Sequence, residues 1–475
     1  MMKFVKWMML GMVIMGLQPQ LKAQTVPPAL QMKFDQILDS MQGILKIKSL
    51  GAAVQLNNDA VWTGASGIST VNPLDSVTTN HAYLIGSVVK TITSACILQL
   101  VDEGVLSLND SLHKWLDTIE YINPNITIRQ LLRHQSGLFD VLYHPDFNSV
   151  IQSNTNYIWS LSDVVNTFIL APNSQPGTTW AYCNTNYMLL GMIIEQATGH
   201  PYYEEFKTRF FQPLQLNSLK IPPFDGLPDT IAHVWLDINN DGQLDDIHNI
   251  YVTWNSLFSA AGPAGCYFAK PADMAVWMRT FLGKNLVSAN MLNEAKTTVA
   301  TNLPGPTRYG LGVMERNYLG IKGYGHGGDL TYSSTVFYFP SKDISIAVLA
   351  NDGSKTSWKL APVVTALLKG YMDYCALVAV NGPEKPDIKL NLHPNPFQQY
   401  LELDVNLPQT TTALRVQLYN EQGQNCAAKT FTSLPAGTQT LRWDGLADLS
   451  PGMYLLEISV DGQLSQSKKV LKQIK

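Results

Sequence analysis

Apolar positions recur at helical spacing in L-Q-M-K-F-D-Q-I-L-D-S-M, Leu30 to Met41, and then give way to the strand-like runs G-A-A-V-Q-L (51 to 56) and A-V-W-T-G-A (60 to 65). The short N-N-D between those runs predicts a hairpin turn. A second helical period starts at Ser87 and continues through Glu103, with Ile92, Ala95, Cys96, Gln99 and Leu100 on the repeat and Gly104 as its stop. Helical and loop-rich sequence follows to about residue 300, where the period shortens. R-Y-G-L-G-V-M-E, Y-S-S-T-V-F-Y-F-P and I-S-I-A-V-L-A-N each read as a strand, and an amphipathic helix is predicted from Ser354 to Tyr371. Strands at both ends with helices between them predict an α+β unit: an antiparallel sheet covered by terminal helices, plus a helical subdomain.

The pattern breaks at V-N-G-P-E-K-P-D, and residues 380–388 read as a linker. Residues 389–475 are then almost pure strand pattern (L-E-L-D-V-N-L, L-R-V-Q-L-Y-N, T-Q-T-L-R-W, G-M-Y-L-L-E-I-S-V, Q-L-S-Q-S-K-K-V-L-K), which predicts a small all-β sandwich. At the other end Lys3 and Lys6 precede an apolar run from Trp7 to Leu17, with Ala23 before Gln24. That run is short for a bilayer span and matches a secretory signal over residues 1–23, leaving 24–379 as the main domain. No other segment is apolar long enough to cross a membrane, so the mature form is expected to have no transmembrane segment.

A formal charge of -4 and a pI near 6.1 give no basic excess for nucleic acid. The five cysteines stand singly, without a C-x-x-C pair, and their odd number leaves at least one thiol unpaired in a monomer. Clustered Cys/His metal sites and H-E-x-x-H are absent.

Serine and lysine three residues apart occur at Ser87/Lys90, Ser111/Lys114 and Ser465/Lys468. Ser87 opens an apolar helix, where i and i+3 share a face and free N–H groups at the helix start suit an oxyanion. Ser111 lies in the charged L-N-D-S-L-H-K, and Ser465 lies in a strand pattern that sends i and i+3 to opposite faces. A serine at a helix start is also an ordinary N-cap, so its partners decide. W-A-Y-C-N-T-N-Y, Trp180 to Tyr187, puts Tyr182 and Asn184 in a turn before a helix capped by Asn184 or Thr185. K-G-Y-G-H-G-G-D, Lys322 to Asp329, puts His326 and two glycines at a strand edge, where missing side chains let a substrate backbone lie close. Tyr121-Ile-Asn123 also matches Y-x-N, so order and spacing carry the weight.

With S-x-x-K, then Y-x-N, then H-x-G ahead of a strand pair, residues from about 30 to 375 resemble the β-lactamase-related serine hydrolase family. That family includes class C β-lactamases, D-alanyl-D-alanine carboxypeptidases, D-aminopeptidases and esterases. I-T-I-R-Q-L-L-R-H-Q-S-G-L and N-Y-M-L-L-G-M-I-I-E-Q-A-T-G support the likeness. The resemblance implies an acyl-enzyme on Ser87, with Lys90 and Tyr182 handling protons and no cofactor or catalytic metal. It implies that Asn184 orients the substrate amide or the Lys90 head group, that His326, Gly328 and Asp329 bind substrate, and that the N–H groups of Ser87 and Asp329 form the oxyanion hole. Which of Lys90 and Tyr182 is the base stays open.

Two departures bear on the substrate. Penicillin-hydrolysing relatives carry K-T-G where His326-Gly327-Gly328 stands, so a cation and a hydroxyl for an antibiotic's carboxylate are missing. A peptide, amide or ester, cleaved in a D-alanyl-peptidase-like or esterase-like manner, therefore ranks above a β-lactam. Cys183, where serine is common, reads as a small buried thiol, and His134 as a structural residue holding a loop.

Asp237, Asn239, Asp241 and Asp245 occupy positions of a calcium loop whose twelfth ligand is replaced by His248; the plainer reading is a solvated Asp-Gly turn. The tail, with H-P-N-P-F, L-S-P-G-M-Y-L-L-E-I and K-K-V-L-K, resembles the sorting domain of bacterial type IX secretion. It implies export machinery as a partner, passage through the periplasm, and release or surface attachment. The expectation is an exported serine hydrolase acting on a small molecule or peptide. Its rivals are an inactive penicillin-binding-like capture protein and a surface adhesin.

Overall fold

The computed structural model describes residues 25–251, 254–354, 356–381, 388–420, 424–461 and 463–473; the expected signal segment, 1–23, and most of the expected linker lie outside them. In chain order the main elements are α1 (Pro28–Leu45), β1 (Ser49–Gln55), β2 (Val61–Val71), β3 (Leu74–Ser76), α2 (Val89–Asp102), α3 (Thr185–Thr198), α4 (Pro271–Gly283), β4 (Val299–Ala300), β5 (Arg308–Tyr309), β6 (Met314–Tyr318), β7 (Ile321–Leu330), β8 (Tyr332–Phe339), β9 (Ile344–Ala350) and α5 (Ala361–Asn381). The strands form one nine-stranded sheet in the order β3-β2-β1-β9-β8-β7-β6-β5-β4, antiparallel throughout. Sequence-distant β1 and β9 pair in its interior as the third and fourth strands, Leu50 opposite Ala350 and Gln55 opposite Ser345.

Both faces of the centre are covered, which is why β8 and β9 are buried at every position and read as continuous apolar runs without alternation. Gly64, paired with Ala52, abuts Leu38 of α1, whereas neighbouring Gly51 abuts Pro271 of α4. Adjacent strand positions point to opposite faces, so α1 and α4 lie on opposite sides of the sheet. Helix α5 packs beside α1, with Gly370 close to Ile37 and Phe34. It extends to Asn381 rather than stopping at Tyr371, because A-L-V-A-V offers no breaker.

Two expectations need correction. R-Y-G-L-G-V-M-E is not one strand: Tyr309 pairs with Met314, so β5 and β6 form a hairpin around Gly310 and Gly312, the latter at φ 76°. The glycine-rich I-K-G-Y-G-H-G-G-D-L is itself a full strand, β7, its period hidden by four positions without side chains.

The chain divides into two compact units, one ending at Met372 and one beginning at Asp373. The second holds a three-stranded sheet (Lys389–His393, Tyr400–Leu407, Gly437–Asp444) and a four-stranded sheet (Asn425–Leu434, Thr411–Tyr419, Gly452–Val460, Gln463–Lys472). Leu401, Leu403, Val405, Leu414, Val416, Leu418, Leu456 and Ile458 from both sheets share one core, as a sandwich requires. Asn425–Leu434 escaped sequence reading because it is an edge strand, largely exposed on both sides. Among the described residues no helix is long and apolar enough to cross a membrane.

Candidate active site

Helix α2 is the interior helix of the first unit, with every residue from Val89 to Leu98 buried. Such a helix has no polar stripe, so each of its polar side chains needs a partner. Thr93 donates to the Pro263 carbonyl at 2.7 Å and Ser94 to the Leu311 carbonyl at 2.7 Å. Lys90 is fully buried, and three groups surround its Nζ: Ser87 Oγ at 3.1 Å, Asn184 Oδ1 at 2.8 Å and the Ala264 carbonyl at 2.7 Å.

Ser87 is not a cap. It sits in the 3-10 turn Gly86–Val88 ahead of α2, and its side chain makes no capping bond. Gly86 turns at φ 50°, and a side chain on it would press on Gly328 and on the Asp329 nitrogen, 3.0 Å away. The glycine therefore brings the Ser87 turn against β7. The same close approach explains Gly328: a Cβ there would lie 2.1 Å from the Ile85 carbonyl oxygen. Gly328 makes room for the turn, while its neighbours Gly327 and Asp329 line the cavity.

Asn184 occupies the N-cap position of α3 without capping it. Asp140 accepts from both its backbone N–H, at 2.9 Å, and its Nδ2, at 2.8 Å, which aims Oδ1 at Lys90. Asp140 and the Ala264 carbonyl were not legible in the sequence. The first is one of several aspartates in loops, and the second is a backbone atom.

A cavity of about 480 Å³ opens over Ser87, Tyr182 and Asn184. Its wall is largely apolar, including Leu142, Phe147, Leu257, Met314, Leu330 and Trp358, and no lysine, arginine or histidine is among the described residues lining it. The Asp329 side chain is tied to Ser357, whose backbone N–H and hydroxyl both donate to it. His326 does not line the cavity. It is fully buried, with Nδ1 on the Gly327 carbonyl and Nε2 2.9 Å from Tyr309 Oη. His134, at φ 58°, is buried beneath Tyr182, ring centroids 4.3 Å apart, and its carbonyl and ring receive bonds from Ala181 and Cys183.

Burial sets the electrostatics. It pulls the Lys90 ammonium down to about 7, partly opposed by the negative charge of Asp140. It pushes the Tyr182 phenol well above its usual range; the nearby Ser87 hydroxyl offsets this in part, although nothing completes a hydrogen bond to the phenolic oxygen. Lys90 Nζ lies 4.9 Å from the Tyr182 ring centroid. Cys183 is a buried thiol pushed up to about 12. All five cysteines are free.

In the acidic loop Asp237 accepts from the N–H groups of Asp241 and Gly242, and Asp245 from that of Ile238. No group of three or more metal-ligating side chains is present among the described residues.

A nine-stranded antiparallel sheet joined to a helical layer, with a serine and a buried lysine where the two meet, is the architecture of the beta-lactamase-related serine hydrolases. The chain belongs to the beta-lactamase family, whose profile matches residues 34–368; a second match, to the secretion system C-terminal sorting domain, covers residues 391–473. That tail marks the protein for type IX secretion to the cell surface or beyond.

Penicillin-binding protein 4 of Amycolatopsis lactamdurans is 28% identical over 313 residues, 62% of this chain and 78% of that protein. The D-stereospecific amidohydrolase of Streptomyces sp. superposes with a TM-score of 0.61 at 27% identity, over 72% of this chain and 99% of that one. The D-amino acid amidase of Ochrobactrum anthropi SV3, at 21% identity and a TM-score of 0.64 over 73% and 99% of the two chains, shares the fold.

Proposed function

We propose that Ser87 is the nucleophile and Lys90 its base, in an acyl-enzyme mechanism on an amide, peptide or ester without a free carboxylate. The carrying observation is the set of contacts at Lys90 Nζ. The Asn184 Oδ1 and the Ala264 carbonyl can only accept, so they take two of its hydrogens whether it is charged or neutral. Ser87 Oγ is the third neighbour. With Lys90 neutral, its lone pair faces that hydroxyl, and a proton crosses along this one line.

Ser87 Oγ attacks the carbonyl carbon as its proton passes to Nζ. The N–H groups of Ser87 and Asp329 stabilise the oxyanion of the tetrahedral intermediate. Tyr182, kept protonated by burial, gives its proton to the leaving nitrogen or oxygen and regains one from Lys90; water then releases the acyl group by the reverse route. The absence of a cation among the described lining residues argues against a substrate carboxylate, hence against penicillins and free D-alanyl termini. The likeness to a D-stereospecific amidohydrolase supports an amide. With its signal segment and sorting tail, the enzyme would pass through the periplasm and act outside the cell.

A fluorophosphonate probe tests the reading. Covalent mass on Ser87, lost in Ser87→Ala, is expected. A folded wild-type protein that no serine-reactive probe or amide or ester substrate engages would favour the capture protein.

A further inference from the structure

Tyr309 lies outside the cavity lining, fully buried between two histidines. Around His134, the Cys183 backbone N–H at 3.1 Å and Asn186 Nδ2 at 3.3 Å both point at Nδ1. The Asn186 amide is oriented by Ser136, whose hydroxyl donates to Oδ1 at 2.6 Å. His134 Nδ1 is therefore an acceptor, and the ring's proton is on Nε2, 3.2 Å from Tyr309 Oη. His326 is the mirror case: its Nδ1 faces the Gly327 carbonyl at 2.5 Å, which only accepts, so Nδ1 holds the proton and Nε2, 2.9 Å from Tyr309 Oη, accepts. One setting of the Tyr309 hydroxyl satisfies both rings, accepting from His134 and donating to His326.

Four one-way hydrogen bonds thus run from the backbone beside Tyr182, through His134, Tyr309 and His326, to the carbonyl beside Gly328. At one end the His134 ring supports the Tyr182 ring; at the other, Gly327 and Asp329 form cavity wall. We propose that Tyr309 is a positioning residue whose hydroxyl locks complementary tautomers of His134 and His326, coupling the loop that carries Tyr182 to the strand that carries the Asp329 N–H. The proposal rests on the roles given above to Ser87 and Tyr182. Charged groups bearing on the rings are Lys90 on both, Arg316 on His326, and His326 on His134, all of one sign when protonated. Burial and these neighbours oppose protonation, so the direction of the chain survives acidification.

Imidazole nitrogen NMR on the full wild-type chain tests this without any variant. His134 should be protonated only on Nε2 and His326 only on Nδ1, unchanged from about pH 5 to 8; the opposite tautomer at either ring, or titration of either in that range, overturns the proposal. In Tyr309→Phe, kcat should fall about tenfold or more with KM within about twofold, since misplacement near reacting atoms acts on the transition state, and the Nε2 shifts of both rings should move. Unaltered kcat in a folded variant overturns it. Asn186→Ala, which removes one donor from His134 Nδ1 and leaves Tyr309 in place, should lower kcat less and in the same direction; no change there in kcat or in the His134 shifts counts against it. Ser87 labelling in each variant separates this outcome from failure of the functional reading, in which the wild type itself stays unlabelled.

Discussion

Ser87/Lys90 and Ser111/Lys114 have the same spacing in the same chain, yet only one pair is fit for chemistry. Lys114 is exposed and binds both oxygens of Asp110 at 2.9 Å, while Ser111 bonds to His113. Lys114 is thus a paired surface ammonium of the kind that contributes little to stability. Lys90 is buried, its neighbours are a hydroxyl, an amide oxygen and a carbonyl, and its pKa is pulled down to about 7. A lysine with a lowered pKa arises where a cation is desolvated without a carboxylate bonded directly to it.

That contrast can be broken in several ways, beginning with the largest expected effect. Ser87→Ala should abolish probe labelling and reduce turnover by on the order of a thousandfold or more, whereas Ser111→Ala should leave both unchanged, as read by intact-mass spectrometry and steady-state rates. Lys90→Met should lower kcat by about a hundredfold to ten-thousandfold, the usual range for losing a positioned base, and Lys114→Met should not. The stability effect has the other sign. An unfolded lysine titrates near 10.5 and the folded Lys90 near 7, so the folded state carries a charge-burial penalty below pH 7 that is relieved as pH rises toward 10.5. Lys90→Met should therefore raise Tm at pH 6, and the gain should shrink at pH 10; a lower Tm at pH 6 contradicts the assignment.

Activity of the wild type should rise with pH through about 7 as Lys90 loses its proton. Because Asp140 holds that proton on, Asp140→Asn should move the acid limb of kcat/KM to lower pH, with a modest loss of rate from a looser Asn184. A limb that stays put, or moves upward, assigns it to another group. Gly86→Ala should slow acylation by about tenfold through strain at φ 50° and pressure on the Asp329 nitrogen, while Lys90 keeps its pKa. Removing residues 388–475 should have the smallest effect, leaving rates on soluble substrates within about twofold, since each unit has its own core.

Legibility followed the same division. The strands Tyr332–Phe339 and Ile344–Ala350 were plain because runs of branched and aromatic residues mark buried strands. β7 was not, because its glycines hide the period, and their reasons lie in other segments: Phe339 against Gly323, Ile85 against Gly328. Ser87, Lys90, Tyr182 and Asn184 were legible as short patterns in order. Asp140, the Ala264 carbonyl and Tyr309 were not, since nothing local distinguishes them. The family resemblance implies a substrate-binding His326, yet its ring turns into the protein to meet Tyr309.

The sequence alone determined the helices and strands that carry a clear apolar period, which side chains could act, and that a β-rich tail follows the main domain, because periodicity, residue chemistry and order are properties of the chain itself. Only the tertiary structure decided which of these lysines is buried against its serine, that His134 and His326 flank Tyr309, and what lines the cavity. Desolvation and hydrogen-bond direction depend on atoms brought together from positions far apart in the chain, and no local pattern encodes them.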